Sequence, residues 1–252
     1  MTDTPSPALV PDILHALARG LAEILHDRLL GLYLGGSAAA GDFAVATSDY
    51  DFLAVTAGDL APGDLQLLER LHQELLYTSE NATRLEGDYA PRHLLIPHGT
   101  RSPVPGVFHG QLVSNVDQIM LSADNIADMR LHGIIVLGPP PAELLPDVTT
   151  DDVRAAVLNM LRDGPHDCAT EIDAASELLN LVRSACALES GQPSTKRQGE
   201  LWARSHLEHT WHPIIQQAQN VRHGHQVAVG YRTLRNAVPE LYQVLQPLWQ
   251  HC

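Results

Sequence analysis

Leu34-Gly35-Gly36-Ser37 and, beyond the eleven residues Ala38 to Ser48, Asp49-Tyr50-Asp51-Phe52-Leu53-Ala54-Val55 decide how this chain is read. Gly31 to Leu34 is a short apolar run that Gly35, Gly36 and Ser37 interrupt, which predicts a strand ending in a tight turn. A second strand is expected from Asp49 to Val55. Side chains alternate along a strand, so Asp49 and Asp51 share a face, where two carboxylates repel unless a cation lies between them. Mg2+ is the natural cation, because it takes hard oxygen ligands and prefers one or two carboxylates together with substrate phosphates. Beyond Asp51 both faces are apolar, Leu53 and Val55 on one and Phe52 and Ala54 on the other, as in a strand covered on both sides. Gly35 and Gly36 allow backbone amides to approach an anion closely, and Ser37 adds a hydroxyl donor. The two halves together predict a metal and phosphate site.

Outward from this centre, Ile13, Leu14, Leu17, Leu21, Ile24, Leu25 and Leu29 recur at helical spacing and predict an amphipathic helix over Asp12 to Leu30. Leu65, Leu68, Leu71, Leu75 and Leu76 predict another, followed by a strand over Arg84 to Asp88. The proline- and glycine-rich segment from Tyr89 to Val107 receives no assignment. Gly133 to Leu137 reads as a last buried strand, ended by Gly138-Pro139-Pro140-Pro141. After that the strand signal disappears, and helices are expected at Asp152 to Leu161, Glu171 to Leu188, Gly199 to Leu207 and Ile214 to Val221. The expected fold class is α+β: an α/β domain with a mixed sheet over residues 1–146, then an all-helical domain over 147–252.

With 252 residues, 44% of them hydrophobic and 18% charged, the chain is long enough and apolar enough for two folded domains, which excludes disordered and fibrous classes. Its formal charge of -14 disfavours nucleic acid and anionic lipid as partners and suits a cationic one. No apolar run has the roughly 18 residues of a membrane span, and Met1 to Pro11 lacks a signal pattern, so a cytoplasmic protein is expected. Cys168, Cys186 and Cys252 have no CxxC spacing and are read as free thiols. His206, His209 and His212, spaced by three, drift around a helix and are not read as a metal site. The oligomeric state stays open; a monomer is compatible with all of this.

The order of strand, glycine turn and acidic strand resembles the polymerase-beta-like nucleotidyltransferases, whose pattern is Gly-Ser followed by Asp-x-Asp. The resemblance narrows to the aminoglycoside adenylyltransferases that inactivate streptomycin and spectinomycin. Its anchors are Leu34-Gly35-Gly36-Ser37-Ala38, Ser48-Asp49-Tyr50-Asp51-Phe52-Leu53, Gly133-Ile134-Ile135-Val136-Leu137-Gly138-Pro139, Leu179-Asn180-Leu181-Val182-Arg183 and Gly191-Gln192-Pro193-Ser194-Thr195-Lys196, with Trp202 behind them. The chain departs from those enzymes in having no counterpart of the tryptophan they place near the drug.

The resemblance implies that AMP passes from ATP to a hydroxyl of an aminoglycoside or aminocyclitol, in a cleft between the domains. It implies that Asp49 and Asp51 hold Mg2+, that Gly36, Ser37, Ser48, Arg183, Lys196 and Tyr242 contact the nucleotide, and that Asp173 binds the acceptor. Glu86 falls where the family places the carboxylate that deprotonates the acceptor hydroxyl. A strand would put Glu86 and Asp88 on one face, so Asp88 remains an alternative base. Lys196 and Arg197 stand in the first turn of a helix begun by Pro193-Ser194-Thr195, where cations oppose the helix dipole unless an anion is near. Glu171, Asp173 and Glu177 also suit a helix N-terminus without any ligand. Two further functions stay open: adenylylation of a protein or another metabolite, and a noncatalytic nucleotide-binding module.

Overall fold

In the computed structural model, which describes residues 10–96, 103–116, 121–228 and 230–250, the first helix is α1 (Asp12–Leu25). Its stripe of Ile13, Leu14, Leu17, Leu21 and Leu25 is buried, and a 3-10 turn at His26–Arg28 ends it earlier than the periodicity through Leu29 suggests. Leu29 belongs instead to strand β1 (Leu29–Leu34). A single helical turn, α2 (Gly36–Ala39), follows. Strand β2 (Tyr50–Thr56), helix α3 (Pro62–Thr78) and strand β3 (Leu85–Pro91) form a crossover that makes β2 and β3 parallel. Parallel neighbours need such a connection, and the leucine stripe of α3 supplies its buried face.

The unassigned segment contains structure. β3 runs on to Pro91, and β4 (Val104–Phe108) turns back through His109-Gly110 into β5 (Gln111–Val116). Both turn residues have positive φ, 48° and 76°, the geometry that two-residue hairpin loops favour. Helix α4 (Ala123–His132), with weak helical periodicity, and strand β6 (Ile134–Leu137) follow. The resulting sheet has the order β5-β4-β3-β2-β1-β6 and is mixed, since only β2 and β3 among its neighbours are parallel.

Alternation along the central strands splits the apolar residues between two clusters. Leu32, Leu34, Phe52, Ala54, Leu85 and Tyr89 pack with α1 and α3, while Tyr33, Leu53, Val55 and Ala90 pack with Ile126 and Met129 of α4. By the same alternation Asp51, Glu86 and Asp88 belong to the α4 face of the sheet.

Past α5 (Pro141–Leu144) the chain is helical: α6 (Thr150–Arg162), α7 (Glu171–Ser190), α8 (Lys196–His206), α9 (His212–Arg222), α10 (Tyr231–Leu245) and α11 (Pro247–Gln250). Thr149, Thr170 and Thr195 each open a helix through a reciprocal capping box, with Asp152, Asp173 and Gln198 as third residues. The long α7 packs against α6, α8, α9 and α10 and is buried over most of its circumference, so it forms the core of this part.

The chain divides into two compact units, Met1–Gly41 with Asp49–Val148, and Asp42–Ser48 with Thr149–Cys252. A division into 1–146 and 147–252 does not foresee that residues 42–48 belong with the helices. Cys168 and Cys186 are free thiols, and Cys252 lies outside the described residues. Among the described residues no helix is long and apolar enough to cross a membrane.

Candidate active site

Asp51 and Glu86 are direct partners across the parallel β2–β3 ladder, and Asp49 precedes β2 by one residue. Glu86 keeps 21% of its side chain exposed. Burial is the main cause that pushes its carboxyl up to about 7, and the negative charges of Asp49 and Asp51 add to it. Asp88 sits one step deeper, level with Leu53, and is fully buried. Two carboxylates thus meet beside a third that holds its proton near neutrality.

The glycine turn is fitted to this cluster. The Gly35 amide donates to the Asp51 carbonyl at 2.7 Å, which anchors the turn to β2. Gly36 has φ +57°, and a Cβ there would stand 1.9 Å from Asp51 Oδ2, so only glycine leaves that carboxylate room. Ser37 lies in the helical turn directly after it, half-buried. A cradle that a methyl group would fill, lined by hard carboxylate oxygens whose repulsion raises a neighbour's proton affinity, fits Mg2+ held by Asp49 and Asp51. Among the described residues no group of three or more His, Cys, Asp or Glu forms a metal site.

His109 was not anticipated from sequence. The hairpin turn brings its Nδ1 to 3.6 Å from Glu86 Oε1, and its backbone amide donates to the same carboxylate, lowering its proton affinity against the effect of burial. Its sequence signal is a His-Gly pair between the apolar pairs Val107-Phe108 and Leu112-Val113, next to prolines and glycines that obscure strand alternation.

Residues 143–246 match the family model of the aminoglycoside adenylyltransferase C-terminal domain. Seven solved chains match in structure. One is the crystal structure of spectinomycin adenyltransferase AAD(9) from Enterococcus faecialis with ATP and spectinomycin, at TM-score 0.75 and 18% identity, over 93% of this chain and 98% of that one. The family match covers the helical part of the chain, and the structural likeness shows its fold. No curated protein sequence matches it.

In the helical unit, Gly199 lets α8 cross tightly over α7 at Arg183. A Cβ at Gly199 would stand 2.5 Å from the Arg183 nitrogen. Lys196 lies one turn earlier on the same side of α8, so the crossing brings the first turn of α8 toward Arg183. On α7, Glu177 accepts from the His166 amide, and Glu189 from the Trp202 indole.

Three other sequence-derived positions make hydrogen bonds within the helical unit. Ser48 Oγ accepts from the Ala44 amide at 2.9 Å. Tyr242 donates its hydroxyl to the Leu161 carbonyl at 2.7 Å. Asp173 Oδ2 accepts from the amides of Ala169 and Thr170, at 3.1 and 2.8 Å, so this acid closes its helix's capping box while remaining exposed.

The segment between the glycine turn and Asp49 is held by an ion pair that the sequence conceals. Arg222, the last residue of α9, bonds Asp42 Oδ1 at 3.0 Å and also the Asp42 carbonyl, with both side chains almost fully buried. Asp42 Oδ2 accepts from the Arg197 amide at 3.2 Å, and Thr47 donates to the Arg222 carbonyl at 2.8 Å. Asp42 therefore supplies an anion to the first turn of α8, offsetting the conflict posed by Lys196 and Arg197. The partners are 180 residues apart in sequence, and no local pattern links them.

Proposed function

We propose that this protein transfers AMP from ATP to a hydroxyl of an aminoglycoside or aminocyclitol such as streptomycin or spectinomycin, with Mg2+ as cofactor. The observation that carries the reading is the β2–β3 register, which pairs Glu86 with Asp51 behind a turn that only glycine can make. The crystal structure of AAD(9) with ATP and spectinomycin supports ATP as donor and an aminocyclitol as acceptor here.

In this reading Glu86 accepts the proton of the acceptor hydroxyl. The hydroxyl oxygen forms a bond to the α-phosphorus, the bond from that phosphorus to the bridging oxygen breaks, and pyrophosphate leaves with the electron pair. A carboxyl that titrates near neutrality is suited to this, since a general base works best when its pKa lies near the working pH. Glu86 is preferred over Asp88 because it stands level with Asp51 and keeps an exposed edge, whereas Asp88 has none. Asp49 and Asp51 would hold Mg2+, which supplies charge neutralisation to the triphosphate. Gly36, Ser37 and Ser48 would contact the phosphates, Arg183 and Lys196 would offset their charge, and Tyr242 would contact the nucleotide. Asp173, exposed and acidic, would attract the cationic acceptor in a protein of charge -14.

Mass spectrometry of streptomycin, spectinomycin and other aminoglycosides after incubation with protein, ATP and Mg2+ tests the proposal. An AMP increment on one drug, lost with Asp49→Asn, supports it. Intact ATP binding with no increment on any drug would redirect the reading to a protein or metabolite acceptor.

A further inference from the structure

The helical unit contains a cavity of about 540 Å3 that none of the roles above uses. Its floor is buried and apolar, with Ala185 and Leu188 of α7 and Leu245 of α10. Two of the chain's three tryptophans, Trp202 and Trp211, form walls. The Trp202 ring is stacked by His206 at 4.6 Å and 7° between planes, and its indole N–H donates to Glu189 Oε2. That bond fixes a carboxylate at the edge of an aromatic surface. A second acid, Glu208, also lines the cavity, and among the described residues no Lys or Arg does. At the rim, Val244 and Leu248 are 47% and 43% exposed, so apolar surface continues outward.

Each feature restricts the ligand. The volume falls within the range of about 300–1,000 Å3 typical of small-molecule sites. An apolar floor excludes a strongly hydrated polycation, whose charges would lose water without recovering partners. Aromatic faces beside two carboxylates attract a single positive charge that is weakly hydrated, the arrangement by which aromatic cages hold quaternary ammonium groups. We infer that this cavity binds a small amphipathic organic monocation, its charge against Trp202, Trp211 and the two glutamates and its apolar body on the floor. The site is separate from the nucleotidyl-transfer residues and does not depend on the function proposed for them.

Benzyltrimethylammonium and its uncharged isostere neopentylbenzene are suitable probes, because they differ in charge and hardly in shape. Titrated into the full chain, the cation should change tryptophan fluorescence saturably, and the isostere should bind at least about tenfold more weakly. Trp211→Ala and Glu208→Gln alter cavity-wall positions that are not fully buried, so the variants should keep the far-ultraviolet dichroism of the wild type and weaken the cation by about tenfold. Equal binding of the two probes, wild-type affinity in both folded variants, or no saturable change would overturn the inference. So would concentration-dependent dimerisation that Trp211→Ala abolishes and the cation does not displace, since a second copy would then be the occupant.

Discussion

A buried carboxylate held close to two others should cost stability, and Glu86 allows that cost to be estimated. Its carboxyl is raised from an ordinary 4.5 to about 7, chiefly by burial and then by Asp49 and Asp51. Between these values the folded protein holds a proton that the unfolded chain has released, so stability falls as pH rises through the window and the full penalty is present above about pH 7. At 1.36 kcal/mol per pH unit the interval corresponds to about 3 kcal/mol. A side chain that keeps 21% of its surface exposed is partly screened, and about 2 kcal/mol is the expected effect. Glu86→Gln, which imitates the protonated acid, should therefore be about 2 kcal/mol more stable than wild type at pH 8.5 and nearly equal to it at pH 4.5, while losing AMP transfer. Urea denaturation of both proteins in a chelator, at both pH values, measures the difference. Added Mg2+ should narrow it by stabilising wild type more than the variant. A Glu86→Gln protein that is equal to or less stable than wild type at pH 8.5 would refute the account of the site as a cluster of mutually repelling acids.

Gly36→Ala would set a methyl group 1.9 Å from Asp51 Oδ2 at a left-handed backbone position, so AMP transfer should fall by about 100-fold while the helical unit is unaffected; near-normal turnover would show that Asp51 need not stay where it is. Arg222→Met would leave Asp42 as a buried, unpaired charge and should destabilise the helical unit by about 3–5 kcal/mol, with much of the loss recovered in Asp42→Asn/Arg222→Met, read by tryptophan fluorescence in urea. Asp173→Asn keeps an oxygen for the capping box but removes the charge, so KM for a cationic drug should rise several-fold with stability changed by less than about 1 kcal/mol; a loss of stability with KM unchanged would assign this residue to capping alone.

The short-range patterns were legible because their physics is local. The leucine stripes gave α1 and α3, and leucine-rich runs gave α6, α7, α8 and α9 to within a few residues. The strands β4 and β5 escaped because proline and glycine obscure alternation, and α4 because its apolar pattern is weak. The proposed base illustrates the division best. Sequence alone left Glu86 and Asp88 equivalent, two residues apart on one face, and only the pairing of β2 with β3 sets one level with Asp51 and the other level with Leu53 in the apolar layer. Asp42 and Arg222 carry no signature at all, since a buried ion pair across 180 residues exists only once the helices have packed. The chain by itself determined which residue types could meet a metal and a phosphate; which of them do meet, how deep each lies and what proton affinity each has were decided by strand register and burial, which depend on the whole fold.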